Sequence, residues 1–247
     1  MSINRKETDA VHYREDSGGR KMRYRTIGWL GVFLLLLLFS PNAVFADNDT
    51  KLSAGLNFGY FDGYSFQSTF MISDFAQNFP LAAEFGVGYS RVGPGNAPDA
   101  RRIFINDATN GIPEKSGRIW DFRLDLMYPV KIFSIERAFI FAGPRHSRFT
   151  GNFKYIGGNE DFDVTCKQWG IGLGLRTFFA MSNHVDLVLT GGFDYYFENT
   201  LTGHDTSYSP DDENINPRRD YTWDDADGAI DQPGFEPRIL AGFSYRF

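Results

Sequence analysis

The chain has little of several features that define common classes of protein. Its single cysteine, Cys166, excludes a disulfide bond within the chain. Basic residues number 25 against 31 acidic ones, and the net charge of −6 is unfavourable for binding nucleic acid. The longest apolar run, Ile27–Phe39, is shorter than the roughly 18 residues that a membrane-spanning helix needs. These absences argue against a disulfide scaffold, a nucleic-acid binder and a helical membrane protein.

The short apolar run has the flanks of an export signal. Arg23 and Arg25 precede it, and Val44-Phe45-Ala46 behind it supplies small residues at the positions that a signal peptidase reads. The order of basic, apolar and cleavable segments is typical of a secretory signal peptide. No cysteine follows directly after the run, so we expect no lipoprotein anchor.

The export signal sets the expected domain boundaries. We expect residues 1–46 to be an N-terminal extension with a cleaved signal peptide, and residues 47–247 to be one domain. Residues 1–21 show no pattern, which leaves open that Met22 is the true start of the chain. Removal of 1–46, where basic residues outnumber acidic ones, makes the remaining domain more acidic.

The remaining domain consists of segments in which apolar residues alternate with small or polar ones. In the last segment Ile239, Ala241, Phe243, Tyr245 and Phe247 share one face, against Arg238, Leu240, Gly242, Ser244 and Arg246. Alternation with a period of two is the signature of a β-strand with one apolar face. We count eight such segments, one of which, Ala138–Gly143, is apolar on both faces and does not reveal its orientation.

The connections between the segments differ in length on the two sides of the predicted sheet. The first set of alternate connections spans 61–63, 92–117, 144–163 and 199–236. Three of these four are long, and the connections of the second set, at 73–80, 129–137 and 180–184, are shorter than those three. Long outer loops, short periplasmic turns and an even strand count are typical of outer-membrane barrels.

The last strand carries the resemblance to a known family. Its aromatic face, which ends on Phe247, resembles the C-terminal strand of bacterial outer-membrane β-barrels. Over residues 51–247 the chain resembles the small OmpA/OmpX-like outer-membrane barrels. The resemblance implies an all-β fold: a single closed antiparallel up-and-down transmembrane β-barrel of about eight strands.

The resemblance also implies a location, a role and partners. We expect a monomeric integral outer-membrane protein with a structural or adhesion-like role and no enzymatic activity. Its expected partners are outer-membrane lipid, lipopolysaccharide and, during biogenesis, the barrel-assembly machinery. The resemblance implies that Phe243, Tyr245 and Phe247 form the signal that this machinery reads.

The polar face of the predicted strands places charged residues in the barrel lumen. These are Glu84, Asp121, Arg123, Asp125, Arg176, Asp186, Asp194 and Arg238. Because buried charges need partners, we expect a network of ion pairs. Arg176 and Asp186 flank the short connection at 180–184 and are expected to lie close together, as are Arg238 and Asp194. Such a network either fills the narrow lumen or lines an ion pathway.

Neither a catalytic nor a metal motif emerges from the residues. His146 and Ser147 are adjacent and therefore point to opposite faces of a strand, and His184 and His204 lie in connections. The acidic connection 199–236 contains only a fragment of a calcium motif, Asp225-Ala226-Asp227-Gly228, so we predict no metal and no cofactor. Bridging of this loop to lipopolysaccharide by divalent cations stays open.

Three other functions stay open on sequence alone. A barrel with this charged lumen could be a narrow pore. A lipid-modifying hydrolase or acyltransferase could use the outer rim. A soluble periplasmic barrel of the lipocalin type would also alternate, but its apolar face would point inward and hold a ligand.

Overall fold

The computed structural model describes residues 50–75, 79–105, 109–133, 135–158, 160–205, 220–221, 226 and 228–247. The predicted export signal, residues 1–46, lies outside these ranges. The strands are β1 (Lys51–Phe61), β2 (Gly63–Ser73), β3 (Ala82–Val92), β4 (Ile112–Ile132), β5 (Ile135–Ile156), β6 (Asp161–Ala180), β7 (Val185–Tyr196), β8 (Leu201–Asp205), β9 (Asp220–Tyr221) and β10 (Phe235–Arg246), and the helix α1 is Ala97–Phe104. Among the described residues, no helix is long and apolar enough to cross a membrane.

Eight of the strands form a closed antiparallel barrel, as the sequence predicts. Each strand from β1 to β6 pairs with the next, β7 pairs with β10, and β10 also pairs with β1. The register of the closing pair sets Leu56 opposite Phe243 and Ala54 opposite Tyr245. Closure leaves no free edge within the barrel wall, so every strand there has hydrogen-bonded neighbours on both sides.

The alternation of the sequence decides which side chains enter the lumen. In β1, Ser53 and Asn57 are buried inside, whereas Leu56 and Phe58 point outward with 51 % and 59 % of their surface exposed. The same rule orients β5, whose facing the sequence left undecided: Phe141 and Arg145 point inward. Which side chains face the lumen therefore follows from the period of two wherever polar and apolar residues alternate.

Three strands are much longer than the sequence suggests. β4 begins at Ile112, inside the predicted loop 92–117, and β5 and β6 continue through most of the predicted loop 144–163. The extensions of β5 and β6 pair with each other, starting where Lys154 lies opposite Asp161. The extension of β4 pairs with that of β5, and β6 also pairs with the short strand β8. Most of their residues are polar outward and apolar inward, the reverse of the membrane-like alternation that the prediction followed.

The extensions and α1 build a cap over one end of the barrel, which we call the loop end. At the opposite end β1 begins and β10 ends, and we call these two points the termini of the barrel. Asn96 caps α1 by accepting from the Asp99 amide, and Pro98 lies in its first turn. Inside the cap is a cluster of buried apolar side chains, the cap core. Its members are Phe61, Ala97, Ala100, Phe104, Ile105, Ile119, Phe149, Phe153, Tyr155, Phe162, Val164, Cys166, Tyr196, Leu201, Ala226, Ala229 and Ile230.

The lumen is filled in layers from one end to the other. At the end that carries the termini, a small apolar cluster contains Met71, Ala82, Met127, Phe141, Phe178 and Val188. At the loop end lies the cap core. Between the two apolar layers lies a layer of buried charged side chains, which forms the candidate site.

Candidate functional site

The central layer is a continuous chain of ion pairs, which we call the charge layer. Arg238 Nη2 lies 2.9 Å from Asp121 Oδ2, and Arg238 Nε donates to Asp194 Oδ2 at 2.8 Å. The other oxygen of Asp194 accepts from Arg145 Nε at 2.6 Å. Asp194 thus lies between two arginines that come from β10 and β5.

The chain continues across the lumen to β4. Arg145 Nη1 lies 2.8 Å from Asp125 Oδ1, and Arg123 Nε donates to Asp125 Oδ2 at 3.0 Å. At the opposite end of the chain, the Tyr196 hydroxyl donates to Asp121 Oδ1 at 2.7 Å. Three aspartates therefore alternate with three arginines, so each charge has an opposite neighbour, as buried charges require.

A second pair lies nearer the termini. Glu84 and Arg176 are in direct contact and each is 2 % exposed. Arg176 Nε also donates to Thr190 Oγ1 at 3.0 Å, which is its neighbour across β6 and β7. The expected contact of Arg238 with Asp194 is present, but Arg176 has Glu84 as its carboxylate partner and not Asp186.

Asp186 lies one layer lower and pairs with residues that the sequence did not connect to it. Its Oδ2 accepts from Arg137 Nη1 at 2.6 Å and lies 3.1 Å from Arg246 Nε. The register explains the error: Arg176 faces Thr190, whereas Asp186 faces Ala180, four residues further along β6. Flanking the same turn was therefore too coarse a criterion for proximity.

Sequence reasoning missed Arg145, the residue that joins two halves of the charge layer. The predicted strand ended at Gly143, which placed Arg145 in a loop, because Pro144 and the polar residues after it interrupt the apolar run. The signal that could have found it is alternation: Phe141, Gly143 and Arg145 share the inward face. Without Arg145, the predicted lumen contained more carboxylates than arginines.

Glycines on the inward face make room for the arginine side chains. A Cβ on Gly86 would lie 2.7 Å from Arg123 Cγ, and one on Gly172 would overlap both Asp194 and Arg145. Neither position needs an unusual backbone angle, so space alone accounts for these glycines. The charge layer and the glycines opposite it are one packing unit.

The outer surface of the barrel is a belt of apolar and aromatic side chains. Leu56, Phe58, Phe85, Leu173 and Ile171 are each at least half exposed, in a range from 50 % to 59 %. A soluble protein rarely exposes contiguous apolar surface on this scale. The described structure is therefore inverted relative to a lipocalin, because its charges face the lumen and its apolar side chains face outward.

The predicted assembly signal lies on this belt at the end that carries the termini. Phe243, Tyr245 and Phe247 point outward with 54 %, 47 % and 73 % of their surface exposed. The Phe247 amide donates to the Leu52 carbonyl, which continues the pairing of β10 with β1. The three aromatic residues form one outward row on the strand that closes the barrel.

The histidines do not assemble a catalytic group in the described part of the chain. His146 packs outward against Trp169, with ring centroids 4.7 Å apart, whereas Ser147 is buried on the inward face. His184 Nδ1 lies 3.2 Å from the Arg246 carbonyl at a turn. The described residues contain no group of three or more histidine, cysteine or acidic side chains placed to hold a metal ion.

The acidic connection is described only in part. Of the fragment Asp225-Ala226-Asp227-Gly228, the described residues include Ala226 and Gly228 but neither aspartate. Residues 206–219 also lie outside them. Cation bridging by this loop stays an open alternative.

Comparison with known proteins bears on the fold. The chain is similar to a major outer membrane protein from Thermus thermophilus, with a TM-score of 0.66 and 20 % identity over 81 % of this chain and all of that one. Neisserial surface protein A is aligned with a TM-score of 0.33 and 13 % identity over 80 % of this chain and 96 % of that one. Acinetobacter baumannii CarO is aligned with a TM-score of 0.37 and 11 % identity over 80 % of this chain and 97 % of that one.

Only the first of these three alignments is close enough to compare folds. It shows that a solved outer-membrane protein has this barrel fold, which confirms the predicted fold class. No family model and no curated protein sequence matches the chain. The finer resemblance to the OmpA/OmpX-like group stays a prediction.

Proposed function

We propose that the protein is an integral outer-membrane barrel with a non-enzymatic role at the cell surface. The barrel wall crosses the membrane, the end with the termini faces the periplasm, and the cap stands outside the cell. The fold likeness to an outer-membrane protein supports this proposal at the level of architecture. The observation that carries it is a change in polarity along single strands.

That change is clearest on β6. In the barrel wall its outward residues are Trp169, Ile171 and Leu173, with 63 %, 58 % and 59 % of their surface exposed. Above Trp169 the outward residues of the same face become Lys167 and Thr165. A strand in one solvent has no reason to change the polarity of its outward face. Lipid around the wall and water around the cap explain the change.

The filled lumen supports a surface role over a pore. The charge layer lies between two apolar layers, and its arginines are 2 % exposed or less. Eight-stranded barrels have interiors just wide enough for side chains. We therefore propose that the network stabilises the barrel interior, and we expect refolded protein in a planar bilayer to give no sustained open conductance.

The outward aromatic row of β10 supports the proposed contact with the assembly machinery. Deletion of Phe247 removes one lipid-facing side chain. The free energy of unfolding in preformed lipid should therefore fall by only about 1.5–3 kcal/mol. Assembly in the cell should fall by much more than this loss explains, if the row is the recognition signal. Equal assembly of the deletion variant and the parent would contradict the proposed contact.

Tryptophan quenching by lipids tests the membrane proposal directly. Trp120 and Trp169 point outward, 43 % and 63 % exposed. In the mature chain 47–247 with Trp223→Phe they are the remaining tryptophans. After refolding into vesicles whose acyl chains carry bromine, we expect strong quenching of both.

A single-tryptophan variant provides the control. Ile156 points outward on the same sheet but lies in the cap, and it is 45 % exposed. Ile156→Trp, in a chain without other tryptophans, should refold equally and remain unquenched. Folded protein whose Trp120 and Trp169 are as weakly quenched as this control would contradict insertion of the barrel wall.

A further inference from the structure

Four basic side chains form a row around one side of the barrel, just above its wall. They are Arg91 on β3, Arg118 on β4, Arg148 on β5 and Lys167 on β6, all exposed and all on the outward face. Arg91 lies directly opposite Arg118, and Arg148 directly opposite Lys167, in neighbouring strands. We call these four residues the basic row.

Aromatic residues lie immediately below the basic row on the same face. Tyr89 lies two residues before Arg91 on β3, and Trp120 lies two residues after Arg118 on β4, with ring centroids 5.1 Å apart. Trp169 lies below Lys167 on β6. Two residues along a strand correspond to about 7 Å. Trp and Tyr mark the membrane–water interface, so the basic row lies at the level of the lipid headgroups if the barrel spans the membrane.

The basic row has no acidic partner among the described residues. Its two directly opposed pairs carry like charges, an arrangement that destabilises a sheet unless another group neutralises it. By contrast, the exposed Lys51 on β1 lies 2.9 Å from the carboxylate of Asp74. The four cations of the basic row therefore lack counter-ions among the described residues.

The remaining side of the barrel differs at the same height. There the outward side chains near the loop end are Tyr60 on β1, Tyr64 on β2, Tyr195 on β7 and Phe235 on β10. None of them carries a charge. The basic row is thus confined to four adjacent strands, which span roughly 15 Å between the outer two at the usual strand spacing.

Hydroxyl groups lie at the next level above the basic row. The next outward residues above the row are Ser116 on β4, Thr150 on β5 and Thr165 on β6, all with hydroxyl groups. Thr150 lies opposite both Arg118 and Thr165. Hydroxyls above a row of cations suit a headgroup in which sugars adjoin phosphates.

From these observations we infer that the basic row binds the phosphate groups of a phosphorylated glycolipid in the outer leaflet, of the lipopolysaccharide class. Arg and Lys contact the phosphates, the aromatic residues below contact the upper part of the acyl chains, and the hydroxyls contact the sugars. The inference deepens the proposed function, since it requires the barrel wall to span the membrane.

A titration with defined glycolipids tests the inference. The folded protein in detergent micelles is titrated with purified lipopolysaccharide that retains its lipid phosphates, and binding is measured by calorimetry. In the variant Arg91→Gln/Arg118→Gln/Arg148→Gln/Lys167→Gln we expect Kd to rise at least about tenfold, since four partly screened ion pairs are lost. Phosphatase-treated glycolipid should bind the parent as weakly as untreated glycolipid binds the variant.

A variant with the same change in net charge provides the control. Lys51→Gln/Arg102→Gln/Lys131→Gln/Lys154→Gln also removes four exposed cations, none of them in the basic row. It should change Kd by less than about threefold, because these cations lie at other heights. Equal loss in both variants would mean general charge attraction and would overturn the inference, as would binding that ignores the phosphates.

Two further measurements separate the possible failures. The row variant should keep its thermal stability in glycolipid-free detergent, because it removes repulsion between like charges. Millimolar inorganic phosphate should not displace the glycolipid, and displacement would show a site for free phosphate instead. If the parent inserts into brominated vesicles yet does not bind the glycolipid, the inference fails and the proposed function stands; without insertion both fail.

Discussion

The charge layer and the cap core fill the same barrel by opposite means. In the charge layer, Arg145 and Asp194 are at most 1 % exposed and pair across the lumen. In the cap core, Phe149 and Phe153, on the same inward face of β5 as Arg145, are fully buried among other apolar side chains. One face of one strand thus changes from charged to apolar within a few residues.

The difference reflects what surrounds each part. The cap stands in water under the proposed function, so its fold depends on the hydrophobic effect and needs an apolar interior. The barrel wall in lipid depends instead on its closed ladder of backbone hydrogen bonds. Its interior must fill space and balance charge, which alternating Arg and Asp achieve.

The cap also contains one buried ion pair, which allows a direct comparison. Arg101 on α1, 1 % exposed, is in contact with Glu160, and its Nη1 donates to the Asn110 carbonyl at 2.7 Å. The Tyr155 ring lies 4.4 Å from its guanidinium, and the Tyr155 hydroxyl donates to the Ala97 carbonyl at 2.7 Å. This pair holds one helix in place, whereas the charge layer connects four strands of the barrel, β4, β5, β7 and β10.

The largest effect is expected from breaking the charge layer. Asp194→Leu leaves Arg145 and Arg238 without their shared carboxylate, so we expect the free energy of unfolding in lipid to fall by about 3–5 kcal/mol. Glu160→Leu in the cap should cost less and mainly loosen α1, because Arg101 can reach water when this one helix opens, whereas the arginines of the charge layer stay enclosed by the barrel wall. Urea titrations followed by tryptophan fluorescence measure both.

Limited proteolysis separates the two variants further. Glu160→Leu should expose the cap to protease while the barrel wall remains resistant. Asp194→Leu should lower the resistance of the wall itself. If Asp194→Leu were as stable as the parent, the charge layer would not stabilise the barrel, and the comparison with the cap would lose its basis.

The next largest effect concerns the outward face of β6. Leu173 lies in the barrel wall and Thr165 in the cap, eight residues apart on the same face of the same strand. Leu173→Arg should destabilise the protein in lipid by about 2–4 kcal/mol if it lies near the midplane, whereas Thr165→Arg should cost close to nothing. Refolding equilibria in vesicles give both values, and equal costs would refute the change of environment along β6.

The sequence predicted the barrel wall well because the physical rule there is local. A strand between lipid and a small polar lumen must alternate, and residues such as Leu56 and Asn57 show that alternation without any knowledge of their neighbours. The strand order followed from the loops. Pairs such as Arg238 with Asp194 followed from strands that meet directly.

The cap and Arg145 were not predictable by the same rule. In β5 above the wall, Phe149 and Phe153 point inward and Arg148 and Lys154 outward, so a membrane pattern read there predicts a loop. Which arginine reaches which carboxylate across the lumen depends on the stagger of the strands. That stagger is a property of the closed barrel and has no local trace in the sequence.

The smallest expected effect concerns an acidic turn at the loop end, where carboxylates adjoin one another instead of arginines. Asp62 connects β1 to β2 with φ of 53°, and it makes no ion pair with any described residue. Burial, together with the nearby carboxylates of Glu236 and Asp231, raises the pKa of Asp62 from 3.8 to about 8. The folded turn therefore favours the protonated form of Asp62 over a wide range of pH.

The sign of the pH dependence follows from this raised pKa. An unfolded chain loses the proton of Asp62 near pH 4, whereas the folded turn retains it up to about pH 8, so the folded state loses stability as pH rises through that window. Asp62→Asn should flatten the dependence of Tm on pH between 5 and 9. The effect on Tm should be small, because the Asp62 carboxylate is partly exposed and screened by solvent.

Asp74→Asn is the matched control, because Asp74 also follows a strand with φ of 54° and its replacement removes the same charge; an equal flattening in both variants would not be specific to Asp62. An equal slope in the parent and in Asp62→Asn would show that the loop end tolerates adjacent carboxylates at no cost, contrary to the contrast with the charge layer.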